Sequence, residues 1–157
     1  MPTKERVYWD SDVFISAIER TADRIAVLEQ ITGRAEKGEL EIVASAFTLC
    51  EVAKVEGIPL PQEQEQLILD FFENPYVLVQ QLDTRVAAHT RDIVRRFRIP
   101  PKDAVHLASA IQAAAAVMHS YDKQHMLPQD GKIGNPPLRI QEPAWKDGQP
   151  PLIKDDK

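Results

Sequence analysis

An α/β sandwich with a largely parallel sheet is the fold class this sequence predicts, and three observations carry it. Short apolar runs rich in β-branched and aromatic residues, at 7–9, 40–44, 76–80 and 117–120, alternate with longer stretches whose apolar residues recur at helical spacing. The chain has 157 residues, enough for one sizeable core and too few for two ordinary domains. Its 43% hydrophobic and 27% charged residues are those of a globular protein, not of a disordered or collagen-like one.

Val7, Tyr8 and Trp9 form a β-rich run that ends at Asp10, followed by a helix beginning at Val13. Residues 21–37 carry Ile25, Leu28 and Ile31 with Ala22 and Ala35 at helical spacing, closed by Gly38. After the strand at 40–44, Ser45 caps a helix expected over 46–56, stopped by Gly57 and Pro59. Another helix runs over 61–72, and Asn74 and Pro75 turn the chain into the strand at 76–80. Asp83 or Thr84 caps a helix to Phe97 whose buried stripe is Val86, Thr90, Ile93, Val94 and Phe97. Pro100 and Pro101 break it and open a helix to about Ala115. A strand over 117–120 follows, and 138–141 is a candidate edge strand. Six of the twelve prolines fall in the last thirty residues, so the domain is expected to span 1–141 and a proline-rich tail 142–157. In that tail Trp145, Leu152 and Ile153 are candidates for docking.

With 19 Lys and Arg against 24 Asp and Glu, a net charge of −5, the chain is no polybasic nucleic-acid coat. That leaves open nucleic acid handled through metal ions held on carboxylates. The single cysteine, Cys50, makes no internal disulfide and no paired-cysteine zinc site, which suits a reducing cytoplasm. No apolar run approaches the ~20 residues of a membrane span. There is no secretory signal pattern and no glycine-rich phosphate loop.

Ligand sites of parallel sheets lie outside the carboxyl ends of the strands. Asp10 and Asp122 are expected at such ends, though aspartates there also cap helices and tolerate turns. Glu51 is the one charged residue between Glu41 and Lys54; its plain alternative is a surface pairing with Lys54. Asp103 falls in the first turn of its helix, where the macrodipole alone favours a carboxylate. Together, four acids on four elements flanking one sheet edge offer the clustered oxygen ligands that Mg²⁺ or Mn²⁺ require.

The segments VYWDSDVFISAIE, SAFTLCEVAK, IPPKDAVHLASAI and VMHSYDKQHML resemble, in order and spacing, the four acidic motifs of the PIN-domain ribonucleases, most closely the VapC-type toxins of bacterial toxin–antitoxin pairs. The resemblance covers residues 7–141. It implies a three-layer sandwich with a mostly parallel sheet of four to five strands flanked by helices, and a Mg²⁺- or Mn²⁺-dependent endoribonuclease. It places the family's catalytic and metal-binding acids on Asp10, Glu51, Asp103 and Asp122, and a hydroxyl near the site on Ser120. An RNA substrate, an antitoxin protein partner and a homodimer are the interactions it implies.

One departure is visible. The family usually has Asn two residues after the first acid, where this chain has Asp12, read first as a cap for the helix beginning at Val13 and otherwise as a group that holds a water next to the metal ligands or extends metal binding. Arg91, Arg95 and Arg98 share a helical face and, with Lys102, are candidate RNA contacts; the plain alternative is a solvated face. His106, one turn after Asp103, is a candidate to orient it or a packing residue, and the other three histidines are read as packing or surface residues. Two other functions fit parts of the pattern. A haloacid-dehalogenase-type phosphatase would use Asp10 as nucleophile and Asp12 as acid/base, but its downstream motifs are missing. A PIN-like domain that binds RNA or protein without cutting would not need all four acids.

Overall fold

The computed structural model describes residues 4–148. Five strands, β1 (Glu5–Trp9), β2 (Leu40–Ser45), β5 (Val77–Gln80), β6 (Val117–His119) and β7 (Arg139–Gln141), form one sheet in the order β5-β2-β1-β6-β7. Every neighbouring pair is parallel, the edge strand β7 included. Six helices accompany the sheet: α1 (Ser11–Glu19), α2 (Ile25–Glu36), α3 (Ala46–Glu51), α4 (Gln62–Glu73), α5 (Thr84–Phe97) and α6 (Pro101–Gln112). The sheet is therefore the predicted one, five-stranded and parallel throughout.

The pleat sorts the apolar residues to two faces. Val7, Trp9, Ile42 and Ala44 pack with Val13 and Phe14 of α1, Leu28 and Ile31 of α2 and Ile68 of α4. Tyr8, Val43 and Met118 point the other way, against Val86 and Ile93 of α5 and Leu107 of α6. On the first face Trp9 stacks on Phe71 with centroids 5.7 Å apart and meets Phe14 edge-on at 5.3 Å. Each such buried aromatic contributes ~1.5–3 kcal/mol by area, plus a smaller term from ring geometry.

Capping follows the sequence at two helices. Ser45 accepts from the Phe47 N–H at 3.1 Å, and Asp83, not Thr84, accepts from the Val86 N–H at 2.9 Å. Elsewhere the structure differs. The helix expected over 46–56 stops at Glu51, and a two-stranded ribbon of β3 (Lys54–Val55) and β4 (Ile58–Pro59) follows. Glu56 and Gly57 both take positive φ, 54° and 78°, so Gly57 turns a hairpin instead of ending a helix. The helix expected over 21–37 begins only at Ile25. Helix α1 begins at Ser11, not Val13, and its N-cap is Asp10, whose carboxylate accepts from the Ser11 N–H; Asp12 is not the cap.

Trp145 packs half-buried against the α1 and α2 side, and the Lys146 N–H donates to Gln30 Oε1 at 2.9 Å. Leu152 and Ile153 lie outside the described residues. Among the described residues no helix is long and apolar enough to cross a membrane.

His119, at the end of β6, is buried with Nδ1 unpartnered. Burial, aided by the charge of Arg34, pushes its pKa down to about 4. A histidine held neutral in the fold contributes stability above its unfolded pKa of about 6.5, and that contribution disappears as pH falls toward 4. We expect the melting temperature to fall across that window and His119→Met to fall less; parallel pH profiles for the two proteins would refute the assignment.

Candidate active site

The chain passes from β1 to β2 on one side and returns to β6 on the other, which opens a crevice at the carboxyl ends of β1 and β6. Asp10 and Ser120 follow those two ends. The Asp10 N–H donates to the His119 carbonyl at 3.0 Å, locking the strand ends together. Asp10 is buried; Oδ1 accepts from the Ser11 N–H and Oδ2 from the Ser120 hydroxyl, each at 2.8 Å. Ser120 Oγ in turn accepts from the Asp122 N–H at 3.1 Å, so one buried hydroxyl joins two of the expected acids.

Asp122 heads a tight turn. Its Oδ1 accepts from the backbone N–H groups of Gln124 and His125, both at 2.9 Å. Its Oδ2 stands 3.7 Å from His125 Nδ1, and Asp103 Oδ2, from the first turn of α6, is 3.5 Å from the same nitrogen. One ligand atom from each of Asp103, Asp122 and His125 lies within 4.8 Å of the others. Burial, then the charges of Asp122 and Asp10, raise the Asp103 pKa despite the opposing influence of His125 and His106. This crowding of carboxylates, resisted by the fold itself, is the observation that suits a divalent ion.

Glu51, at the C-terminus of α3, reaches the same crevice from the side. Its Oε1 is 2.5 Å from His106 Nε2 and accepts from the Ser11 hydroxyl at 2.6 Å. His106 is buried in α6 with Nδ1 2.6 Å from the Tyr8 hydroxyl, and Nε2 is 3.7 Å from Asp10 Oδ1. Burial is the largest single influence on both members of the pair. For His106 the bond to Glu51 and the charges of Asp10, Glu51 and Asp103 outweigh it and raise the pKa. For Glu51 the bond from His106, its charge, the Ser11 hydroxyl and Lys102 outweigh it and lower the pKa. Burial, with the nearby Asp10 and Glu51 charges, keeps the Tyr8 phenol protonated. His106 therefore grips Glu51, not Asp103 as its one-turn spacing suggested.

Asp12 lies behind the crevice. Its Oδ2 accepts from the Tyr121 N–H at 3.1 Å and its Oδ1 is buried without a partner. Burial and the Asp10 charge push its pKa up to about 7, although Arg24, stacked 3.7 Å over the Tyr121 ring, counteracts part of this. Lys102 lines a cleft of about 380 Å³ beside Glu51, with Phe47, Cys50, Ala53 and Lys54. Arg91 and Arg95 are exposed on α5, whereas Arg98 is the left-handed cap residue beyond the helix and leaves the shared face. No hydrogen bond or ion pair among the described residues links those three arginines to the acids.

Sequence reasoning missed Tyr8, Ser11 and His125. His125 carried a signal in its three-residue spacing from Asp122. Tyr8, inside an apolar strand run, carried none.

Residues 7–127 match the PIN domain. The chain belongs to the PIN-domain family. Among curated proteins none matches its sequence. Its structural relatives include VapBC2 from Rickettsia felis bound to a DNA fragment from its promoter, with TM-score 0.54 and 16% identity over 87% of this chain and 97% of that one. A toxin–antitoxin complex from Klebsiella pneumoniae has TM-score 0.56 and 15% identity over 76% and 88% of the two chains. Mycobacterium tuberculosis VapC20, a Sarcin-Ricin loop cleaving toxin, has TM-score 0.56 and 10% identity over 75% and 91%.

An acid whose folded pKa is raised costs stability once pH exceeds its unfolded value near 3.8, increasingly up to about 7 for Asp12. Asp12→Asn keeps an oxygen for the Tyr121 N–H and removes the charge. In metal-free buffer it should melt with the parent near pH 4 and above it near pH 8; coincidence at both pH values would show that the Asp12 charge carries no such cost.

Proposed function

We propose that this PIN domain is a divalent-metal-dependent endoribonuclease that hydrolyses RNA phosphodiester bonds and serves as the toxin of a cytoplasmic toxin–antitoxin pair. The observation that carries the reading is the gathering of Asp10, Glu51, Asp103 and Asp122 from four elements at one sheet edge. Asp103 and Asp122, with Asp10 tied to Asp122 through Ser120, would hold Mg²⁺ or Mn²⁺. When bound, the ion supplies Lewis-acid activation of water and neutralises charge building on the phosphodiester.

The chain's own residues supply the rest. His106 and Ser11 both bond Glu51 Oε1, which leaves Oε2 to take a proton from the attacking water. The carboxylate is ionised at neutral pH and so open to that proton, while its lowered pKa makes it a weak base that orients the water more than it holds the proton. Lys102 at the adjoining cleft binds a flanking phosphate, with Arg91, Arg95 and Arg98 as more distant contributors to attraction of the RNA. RNA as the polymer is supported by the description of VapC20 as a Sarcin-Ricin loop cleaving toxin. The phosphatase reading loses support because Asp12, its acid/base, is bound to the Tyr121 N–H behind the crevice.

An antitoxin partner is supported by the complex that the Klebsiella relative forms. The apolar groove between α1 and α4, lined by Phe14, Ala17, Ile18, Leu67 and Phe71, suits an amphipathic helix from such a partner. A homodimer is part of the same proposal.

With Mn²⁺, the purified chain should cut end-labelled RNA internally. Asp10→Asn and Asp122→Asn should each slow this by about a hundred-fold or more, with unchanged circular dichroism. Unchanged cleavage in either variant removes that residue from the site, and RNA binding without cleavage in any divalent ion favours the non-cutting alternative. Induction in cells should arrest growth, and Asp10→Asn should relieve the arrest.

A further inference from the structure

The acids of the proposed metal site are oxygen donors, yet a nitrogen stands among them. His125 Nδ1 is 3.5 Å from Asp103 Oδ2 and 3.7 Å from Asp122 Oδ2. These gaps are too long for good hydrogen bonds. They approach the spacing of about 3.0–3.5 Å between neighbouring ligands that each lie about 2.1 Å from a shared ion. The placement is built by the backbone, since the turn in which Asp122 Oδ1 accepts from the His125 N–H sets the imidazole beside the Asp122 carboxylate. The ring is 39% exposed, so packing does not force it there.

We propose that His125 Nδ1 is a direct ligand of the divalent ion, making the centre a mixed nitrogen and oxygen site that prefers transition-metal ions over Mg²⁺. The inference rests on the metal-dependent reading above and adds to it the class of ion. Imidazole suits the later first-row ions, whereas carboxylate, carbonyl and water suit Mg²⁺. Replacing one oxygen donor by imidazole therefore shifts selectivity toward Co²⁺, with Mn²⁺ between the extremes. The competing role for the same geometry is a protonated imidazole acting as counter-ion to Asp103 and Asp122. The two roles predict opposite effects of removing the ring: loss of a ligand weakens binding of the ion that favours nitrogen, whereas loss of a cation strengthens binding of every divalent ion.

Calorimetric titration of the whole chain with Co²⁺ and with Mg²⁺ separates them, alongside electron spin-echo spectra of the Mn²⁺ form. Wild type should bind Co²⁺ more tightly than Mg²⁺, and Mn²⁺ should show nitrogen modulation. His125→Ala should weaken Co²⁺ binding by about ten-fold or more, change Mg²⁺ binding by less than about three-fold, and abolish the modulation. His106→Gln should keep the modulation, which assigns the nitrogen to His125. Equal losses for both ions, tighter binding of both, or modulation that survives in His125→Ala would overturn the proposal while leaving the metal-dependent nuclease reading intact. If wild type binds no divalent ion at all, both fall together.

Discussion

Like-charge repulsion at one sheet edge is the constraint around which this molecule is organised. Asp10, Asp12, Glu51, Asp103 and Asp122 come together where β1 and β6 end, and burial first, then the neighbouring carboxylates, raise the pKa values of Asp12 and Asp103. A fold can hold such a cluster only if its stability comes from elsewhere. Here it comes from the two apolar layers that clamp the sheet, with Trp9 and Tyr8 buried on opposite faces directly before the first acid. The acids sit in the turns and helix ends beyond that core, where backbone N–H groups are free to bind them.

The repulsion is relieved unevenly. On one side Glu51 has an imidazole and a hydroxyl on a single oxygen, and Tyr8 backs the imidazole from the sheet. On the other side the Oδ2 atoms of Asp103 and Asp122 stand near His125 Nδ1 at distances beyond a good hydrogen bond, while two backbone N–H groups hold Asp122 Oδ1. The crevice thus has a finished half and an unfinished half. In the finished half Glu51 is fixed as an acceptor; in the unfinished half the carboxylate oxygens retain lone pairs for an ion. Under the proposed function, the asymmetry would give one cluster both a metal-binding edge and a positioned proton acceptor.

Much of the fold was legible because parallel strands buried on both faces read as short continuous apolar runs between helical patterns. The runs at Val7 and Val117 gave the two central strands and so the sheet edge that the acids occupy. The helix beyond Ser45 was misread because Gly57 ends helices and turns hairpins equally well, and sequence spacing does not distinguish the two. At the site Glu51 stood out as a charge in an apolar stretch, and Asp10 and Asp122 by their place at strand ends. Their supporting residues did not: Tyr8 looks like core, Ser11 like any helix start, and His106 was matched to its neighbour in sequence instead of to Glu51, which lies 55 residues away in the chain. Long-range pairing is the part of the site that local pattern leaves out.

Asp10 and Asp12 show how two adjacent carboxylates divide incompatible tasks. Asp10 caps α1 through Oδ1 and takes the Ser120 hydroxyl through Oδ2, so each oxygen is oriented by one bond and keeps a further lone pair toward the crevice. Ser120 passes that orientation on, because the same hydroxyl oxygen accepts from the Asp122 N–H. Ser120 thereby links the Asp10 carboxylate to the backbone of Asp122. Asp12, two residues on, sits in the first helical turn and points back at Tyr121, where its single backbone bond does not offset burial beside the Asp10 charge. An amide at that position would make the same bond to the Tyr121 N–H without adding charge. The second carboxylate thus adds nothing to the holding of the turn. What sets it apart is a carboxyl whose pKa burial and the Asp10 charge push up to about 7 beside an already negative site.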